Sequence, residues 1–261
     1  MKKIKHIILI GSGKGGVGKS TVAVNLSVTL AKQNNKVGLL DADIYGPSIP
    51  KMMGVNEKPK LNSNKKLEPF FKYGIKFMSI GSMIPSEKPI IWRAPMVVNA
   101  LNQLLRDITW EELDYLIIDL PPGTGDIQLT LSQNLEITGV IIVSTPQEVA
   151  LEDVRRAINM FRQVKVEIIG IIQNMSYFED SKENKIYLLG KNNVFKESKK
   201  QNLNFLGEIP IVQDISSTSD KGRPISVNES SKVSIKFQEI VNRVRQIIGK
   251  QNIQETNIEI N

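Results

Sequence analysis

A glycine-rich octapeptide at residues 13–20 strongly constrains how this chain can fold. It reads Gly-Lys-Gly-Gly-Val-Gly-Lys-Ser and matches the pattern G-x-x-x-x-G-K-[ST]. The aliphatic run 6–10 precedes it, and a stretch with helical apolar spacing, 20–32, follows it. A loop of this kind, between a strand and a helix, brings backbone amides toward one point, where the helix N-terminus adds partial positive charge. The segment therefore predicts a phosphate-binding loop.

Short aliphatic runs recur along the chain, and most are followed by a turn and a helical stretch. They lack strict alternation, which is typical of strands buried on both faces of a parallel sheet. They predict an α/β fold, doubly wound, with a mostly parallel sheet flanked by helices. The runs are 6–10, 36–40, 75–80, 115–120, 140–143, 166–172 and 205–206.

The expected organisation is one domain over residues 1–249, followed by a polar, flexible tail at 250–261. Two polar segments interrupt the pattern. Residues 51–72 are interpreted as a surface excursion, and residues 179–200 as an insertion or mobile loop. Near the C-terminus, apolar residues between 233 and 248 fall at helical spacing and predict an amphipathic helix.

The composition excludes several classes of site. The chain has no cysteine and one histidine, His6, which rules out disulfides, zinc ribbons, thiolate catalysis and iron–sulfur clusters held by its own cysteines. The longest aliphatic runs have four residues, far below the ~20 that span a bilayer. The net charge is +7, but the lysines are scattered. We expect a cytoplasmic protein with no membrane and no nucleic-acid partner.

Aspartates at strand ends supply the carboxylates that phosphoryl transfer requires. Asp119 ends the run 115–119, and Asp41 and Asp43 follow another. We expect Lys19 to bridge the β- and γ-phosphates of ATP, and Ser20 and Asp119 to hold Mg²⁺. The alternatives are that Asp119 only starts a turn and that Asp41 or Asp43 caps a helix. The pattern predicts a Mg²⁺-dependent ATPase, with ATP bound by Gly13, Lys14, Gly15, Gly16, Val17, Gly18, Lys19, Ser20 and Thr21.

A second lysine in the loop, Lys14, makes it resemble the deviant P-loop ATPases, a group that includes MinD, ParA and the nitrogenase iron protein. In that group the extra lysine reaches across a dimer interface to the partner's nucleotide. The resemblance implies a homodimer in which Lys14 acts in trans. It also implies that Asp43 orients the attacking water, so that Lys14, Lys19 and Asp43 form the catalytic set.

Longer blocks resemble the Mrp/ApbC subfamily of iron–sulfur cluster carrier ATPases. They lie at 40–50, 92–96, 119–126 and 174–178, and the resemblance extends over most of the chain. It implies an ATP-binding and ATP-hydrolysing dimer that delivers clusters to apoproteins or works with other assembly proteins. It also implies that Asn174 contacts adenine and that the loop at Pro210 closes over the base.

One departure concerns the cluster itself. Members of the subfamily commonly carry a Cys-x-x-Cys shortly after the Asn-Met-Ser block, where this chain has Asp180 and Glu183 near the cysteine positions. Carboxylates suit Mg²⁺ or Ca²⁺ better than a thiolate-held cluster. The alternative function is a MinD/ParA-like positioning ATPase acting on DNA or membrane. It would use the +7 charge and the C-terminal amphipathic helix, which we interpret mainly as a core-packing helix.

Overall fold

The computed structural model describes residues 4–83, 94–123 and 125–258. Trp92 and Arg93 of the block 92–96, and Thr124 of the block 119–126, lie outside the described residues. The strands are β1 (Ile4–Gly11), β2 (Val37–Asp41), β3 (Phe70–Lys72), β4 (Ile75–Ser79), β5 (Leu113–Asp119), β6 (Gly139–Ser144), β7 (Ile168–Gln173), β8 (Phe178–Glu179), β9 (Lys185–Ile186) and β10 (Phe205–Glu208).

Helices cover both faces of the sheet. They are α1 (Lys19–Lys32), α2 (Ile49–Met52), α3 (Ala94–Asp107), α4 (Asp126–Asn134), α5 (Glu148–Gln163), α6 (Asn193–Lys200), α7 (Gln213–Asp220) and α8 (Lys232–Ile258), with 3-10 turns at Ile80–Met83 and Ile225–Val227. In the described part of the chain, no helix combines the length and hydrophobicity that a bilayer crossing requires.

The strand order confirms the predicted doubly wound α/β fold. The sheet runs β10-β7-β6-β1-β5-β2-β4-β3, and its pairs are parallel except for the edge pair of β3 and β4. All seven aliphatic runs lie in this sheet. Strand β1 pairs with β5 on one side and β6 on the other, so the strand order reverses there. Ligands of open α/β sheets bind at the carboxyl ends of the strands beside such a reversal, which is where residues 12–18 lie.

Two apolar layers hold the sheet between its helices. On one face, Leu26 of α1 and Phe237 of α8 are buried in one cluster. On the other face, Leu104 of α3 and Phe161 of α5 belong to a second cluster. The strands lie between these layers, and β2, β6 and β7 are buried along their whole length. This double burial explains why the strands read as continuous aliphatic runs.

The interpretation of 179–200 as an insertion or mobile loop is wrong for its second half, which forms α6. Val194 of this helix is fully buried. Glu197 is also buried and accepts hydrogen bonds from the Arg155 guanidinium at 3.0 and 2.8 Å. The helix has only two apolar residues, Val194 and Phe195, and tertiary contacts hold it in place.

The predicted C-terminal helix is present as α8, and its apolar face packs into the core as expected. The buried residues are Val233, Phe237, Ile240, Val241, Val244 and Ile248. The helix runs on to Ile258, so residues 250–258 of the predicted tail are helical. The sequence has no proline or glycine after Gly249 to end the helix. The flexibility of the tail stays a prediction.

Candidate functional site

The glycine-rich loop joins the end of β1 to the start of α1. Gly18 has a φ of 82°, in the left-handed region that glycine adopts without strain. A Cβ at this position would lie 2.2 Å from Asn174 Nδ2, so a side chain there would displace that amide. The first amides of α1 have no partner inside the helix. The loop therefore presents backbone N–H groups and the positive end of a helix dipole at one point.

Lys19 lies between two carboxylates at this edge of the sheet. Its ammonium donates to Asp119 Oδ1 at 2.8 Å, and its Nζ lies 3.5 Å from Asp43 Oδ2. The side chain of Lys19 is only 6% exposed, and that of Asp119 is fully buried. The structure thus brings together three of the residues that the sequence assigns to catalysis or metal binding.

Asp119 carries the most deeply buried charge of this group. Its Oδ2 atom is buried, and Lys19 donates to the other oxygen, Oδ1. Burial raises the pKa of this carboxyl, an effect that the charge of Lys19 opposes. A buried carboxylate oxygen that the lysine does not engage fits a cation ligand.

Ser20, the other predicted Mg²⁺ ligand, is next to Lys19, and its Oγ lies 3.5 Å from Lys19 Nζ. Nowhere in 4–83, 94–123 and 125–258 do three His, Cys, Asp or Glu side chains form a metal cluster. The donor set of Ser20 and Asp119 therefore suits a cation whose remaining ligands come from phosphate and water.

Asp43 is held in a fixed orientation by its own loop. Its Oδ1 accepts the amides of Tyr45 at 3.2 Å and Gly46 at 3.3 Å, which leaves Oδ2 facing Lys19. The amide of Asp43 in turn donates to Asp41 Oδ1 at 3.1 Å.

Asp41, which the sequence places at a strand end together with Asp43, is a structural member of the site to which we assigned no separate role. It lies opposite Asp119 in the pairing of β2 with β5. Its Oδ2 accepts the Ser79 hydroxyl at 3.0 Å and the amide of Ile49 at 3.3 Å. Burial, together with the nearby charge of Asp119, raises the pKa of Asp41 to about 7.

Gln128 of α4 is a residue of the site that we did not single out from the sequence. Its Oε1 accepts the amide of Gly125 at 3.0 Å, and its Nε2 donates to the carbonyl of Gly123 at 3.1 Å. It holds the loop that follows Asp119, and the amide of Gly123 donates to the carbonyl of Ser12 at 3.1 Å. A glutamine three positions after a helix N-cap is the local signal for this contact.

Lys14 is partly exposed on the glycine-rich loop, and the structure does not bring its ammonium to the other charged residues of the site. Its backbone carbonyl accepts the Ser12 hydroxyl at 3.0 Å. Among the described residues, its Nζ forms no ion pair or hydrogen bond. This lysine is therefore free to contact a group outside its own chain.

Asn174 follows β7 and contacts the loop directly, since its Nδ2 donates to the carbonyl of Val17 at 2.8 Å. Pro210 is buried after β10, next to Ile209, whose amide donates to the carbonyl of Gln173 at 2.8 Å. Pro210 also lines a cavity of about 840 Å³. The two residues predicted to contact adenine therefore lie on the β7 side of the loop.

Comparisons with known proteins agree with this geometry. A family model described as ParA: NUBPL iron-transfer P-loop NTPase matches residues 3–245. An iron-sulfur cluster carrier protein of Aquifex aeolicus is 49% identical over 94% of this chain and 68% of its own length. One from Methanocaldococcus jannaschii is 48% identical over 96% of this chain and 88% of its own length.

Solved structures show the same fold. A nucleotide-binding protein of Archaeoglobus fulgidus in complex with ADP superimposes with a TM-score of 0.77 at 41% identity, covering 90% of this chain and 93% of its own. The cell division ATPase MinD of Pyrococcus furiosus has a TM-score of 0.69 at 19% identity, covering 93% of this chain and 99% of its own. At that identity the second likeness concerns the fold alone.

Proposed function

Because this chain belongs to the NUBPL iron-transfer family of P-loop NTPases, we propose that it binds and hydrolyses ATP with Mg²⁺ and that this cycle serves the delivery of iron–sulfur clusters to apoproteins. The membership confirms the predicted resemblance to iron–sulfur cluster carriers. The observation that carries the proposal is the convergence of Lys19, Asp43 and Asp119 at the glycine-rich loop, at 2.8 and 3.5 Å.

The triphosphate lies along residues 13–21, where the loop amides and the start of α1 bind phosphate oxygens. Lys19 leaves its carboxylate partners in part and contacts the β- and γ-phosphates. Asn174 and Pro210 lie on the side of the loop where we place the adenine. The ADP-bound relative from Archaeoglobus fulgidus supports a nucleotide in this fold.

Ser20 and Asp119 hold the Mg²⁺ ion, which supplies positive charge against the phosphate oxygens. The buried Oδ2 of Asp119 is the oxygen that suits this role. Asp43 positions the attacking water, because two backbone amides fix one of its oxygens and leave the other directed into the site.

Lys14 acts in a homodimer, where its ammonium stabilises the developing phosphate charge of the partner's nucleotide. Its lack of an ion pair among the described residues supports this role. The iron–sulfur cluster is cargo in this proposal. The relatives named iron-sulfur cluster carrier proteins support that assignment.

Steady-state phosphate release tests the proposal. We expect turnover that requires Mg²⁺ and that Asp43→Asn lowers by about 10²-fold, because the water loses its fixed partner. Asp114→Asn is the matched control, since this aspartate lies outside the site and pairs with exposed Lys5. No phosphate release from the wild-type chain, or equal rates in Asp43→Asn and wild type, would contradict it.

A further inference from the structure

Strand β10 forms one edge of the main sheet. One side of it pairs with β7, and no strand among residues 4–83, 94–123 and 125–258 pairs with the other side. Helices α6 and α8 lie beside this free side on opposite faces of the sheet, since Val194 of α6 and Phe237 of α8 belong to different apolar layers. The strand and the two helices line a groove of about 770 Å³, the β10 groove. Its volume is within the range of about 300–1,000 Å³ that is usual for binding sites.

The α6 side of the β10 groove is apolar. Phe195 of α6 is 41% exposed, and its ring meets that of Phe205 edge to face, with the ring centres 5.3 Å apart. Leu203, which precedes β10, also lines the groove and is half-buried. Aromatic rings that are partly open to solvent bury a large apolar area when a partner covers them. This side of the groove can therefore take apolar side chains.

The α8 side of the groove carries positive charge. Arg243 and Lys250 line it from α8, and Lys199 adds a third cation from α6. Lys199 Nζ lies 5.6 Å from the ring centre of Phe195, so charge and apolar surface are adjacent. None of these three cations has a carboxylate partner among the side chains that the structure describes. Unneutralised cations beside an apolar surface attract a negatively charged group.

The carboxylates of the groove do not offset this charge. Its lining holds two, and each is already ion-paired, Glu208 with Lys185 at 3.2 Å and Glu239 with Lys236 at 3.1 Å. The lining has four cations against two carboxylates, a net charge of +2. The excess makes the groove complementary to an acidic partner.

The free edge of β10 is not a template for another strand. The register against β7 shifts between Phe205 and Gly207, and Arg243 donates to the carbonyl of Leu206 at 2.9 Å. Bulges and charged side chains are features by which sheet edges avoid pairing with other strands. A guanidinium has five N–H donors, so Arg243 can keep this bond and also bind a carboxylate. Recognition in the groove therefore depends on side chains.

We propose that the β10 groove binds an extended segment of a partner protein in which acidic and apolar residues alternate. Successive side chains of an extended chain point to opposite sides. The apolar side chains of such a segment contact Phe195 and Phe205, and its carboxylates face Arg243 and Lys250. The inference goes beyond the proposed function, because none of these four residues lines the cavity at Pro210.

Two other anionic partners fit the groove less well. A bilayer is contacted by apolar side chains that protrude, whereas Leu203 and Phe205 are half-buried in a recess. Duplex DNA is bound through contacts to its phosphates, which leave the aromatic pair of the groove unused. An extended acidic segment with apolar residues uses both the cations and the rings.

Fluorescence anisotropy with a labelled heptapeptide, Glu-Leu-Glu-Phe-Glu-Leu-Glu, tests the proposal at physiological salt. We expect it to bind at least about tenfold more tightly than the same peptide with glutamine in place of glutamate, because the carboxylates face unneutralised cations. A peptide of the same composition in blocks, Glu-Glu-Glu-Glu-Leu-Phe-Leu, cannot place the two kinds of side chain on opposite sides. We expect it to bind at least about threefold more weakly than the alternating peptide.

A pair of charge variants assigns this binding to the groove. Lys199→Gln/Lys250→Gln changes two exposed side chains and should weaken binding of the alternating peptide by about tenfold. Lys65→Gln/Lys66→Gln is the matched control. It removes the same charge from exposed residues just before β3, at the opposite edge of the sheet, and should bind the peptide as the wild type does.

A pair of aromatic variants tests the apolar side. Phe195→Ser should weaken binding of the alternating peptide by about tenfold, because apolar anchors carry most of the affinity of an interface. Phe71→Ser is its control, since Phe71 is 72% exposed on β3, and this variant should retain wild-type affinity. Circular dichroism melting of both variants checks that each is folded.

Several results would overturn the inference. They are no binding of the alternating peptide, equal binding of the alternating and glutamine peptides, and equal affinity in Lys199→Gln/Lys250→Gln and its control. Phosphatidylserine vesicles or duplex DNA that bind where the peptide does not, and less well to that variant, would assign the groove to another partner and overturn it too. Phosphate release by all the variants should equal that of the wild type. Absence of ATP turnover in the wild type would refute the proposed function and leave peptide binding unchanged.

Discussion

Removing Lys19 should destabilise the protein even without nucleotide, because it leaves a buried carboxylate unpaired. Lys19 and Asp119 are 6% and 0% exposed, and their charged atoms lie 2.8 Å apart. Removing one partner of a buried pair costs about 3–5 kcal/mol. Lys19→Ala should therefore lower the free energy of unfolding by about 3 kcal/mol. Asp119→Asn should cost less, about 1–2 kcal/mol, because Lys19 keeps Asp43 at 3.5 Å.

The double variant Lys19→Ala/Asp119→Asn isolates the interaction. With neither charge present, the charge of Asp119 is no longer left unpaired, so the double variant should be more stable than the sum of the single effects by about 2–3 kcal/mol. Urea unfolding, followed by circular dichroism at pH 8, measures all four free energies. If the effect of the double variant equals the sum of the two single effects to within about 0.5 kcal/mol, the interaction between Lys19 and Asp119 is refuted.

The free energy of unfolding of Lys19→Ala should also depend on pH. Burial already raises the pKa of Asp119, and Lys19 opposes that shift. Without the lysine the pKa rises further, so the folded form binds more protons than the unfolded form above the ordinary carboxyl pKa. The stability of Lys19→Ala relative to wild type should therefore fall as the pH rises from 5 to 8. A stability difference between Lys19→Ala and wild type that stays constant from pH 5 to 8 would contradict this explanation.

Three further predictions concern neighbouring residues. Gly16 and Gly18 both have a φ near 80°, but only at Gly18 would a Cβ meet the Asn174 amide. In urea unfolding, Gly18→Ala should therefore be less stable than Gly16→Ala by about 1–3 kcal/mol. Lys14→Ala should bind ATP normally in calorimetry but lose phosphate release by about 10³-fold. Because the pKa of Asp41 is raised to about 7, the free energy of unfolding should fall as pH rises from about 4 to 7, and Asp41→Asn should flatten this slope.

The contradicting outcomes are equally specific. Equal stabilities of Gly16→Ala and Gly18→Ala would show that the Asn174 contact is unimportant. Full ATP turnover by Lys14→Ala would contradict the proposed action of Lys14 on the partner's nucleotide. A slope in Asp41→Asn as steep as in wild type would assign the pH dependence to another group.

The sheet was predictable because its signal is local. Strands buried on both faces consist of aliphatic residues, and the seven runs of the sequence all lie in the sheet. The short edge strand β3 was not predicted, since only three residues pair there. Helix α6 was missed because the Arg155–Glu197 contact that holds it joins residues far apart in the chain.

The positions of the charged residues around Lys19 were predictable, but their contacts were not. Parallel strands end at one edge of the sheet, so Asp43 and Asp119 were expected near the glycine-rich loop. The pairing register decides which carboxylate lies closest to Lys19, and no local pattern encodes that register. The Asn174 contact with Val17 likewise joins residues 157 positions apart.

Isothermal titration calorimetry of Mg·ATP into the purified chain tests the central claim most directly. We predict uptake of one nucleotide per chain, lost in Lys19→Ala and retained in Asp114→Asn, whose side chain lies outside the site. Wild-type protein that takes up no nucleotide at saturating Mg²⁺, or Lys19→Ala that binds as tightly as wild type, would contradict the account.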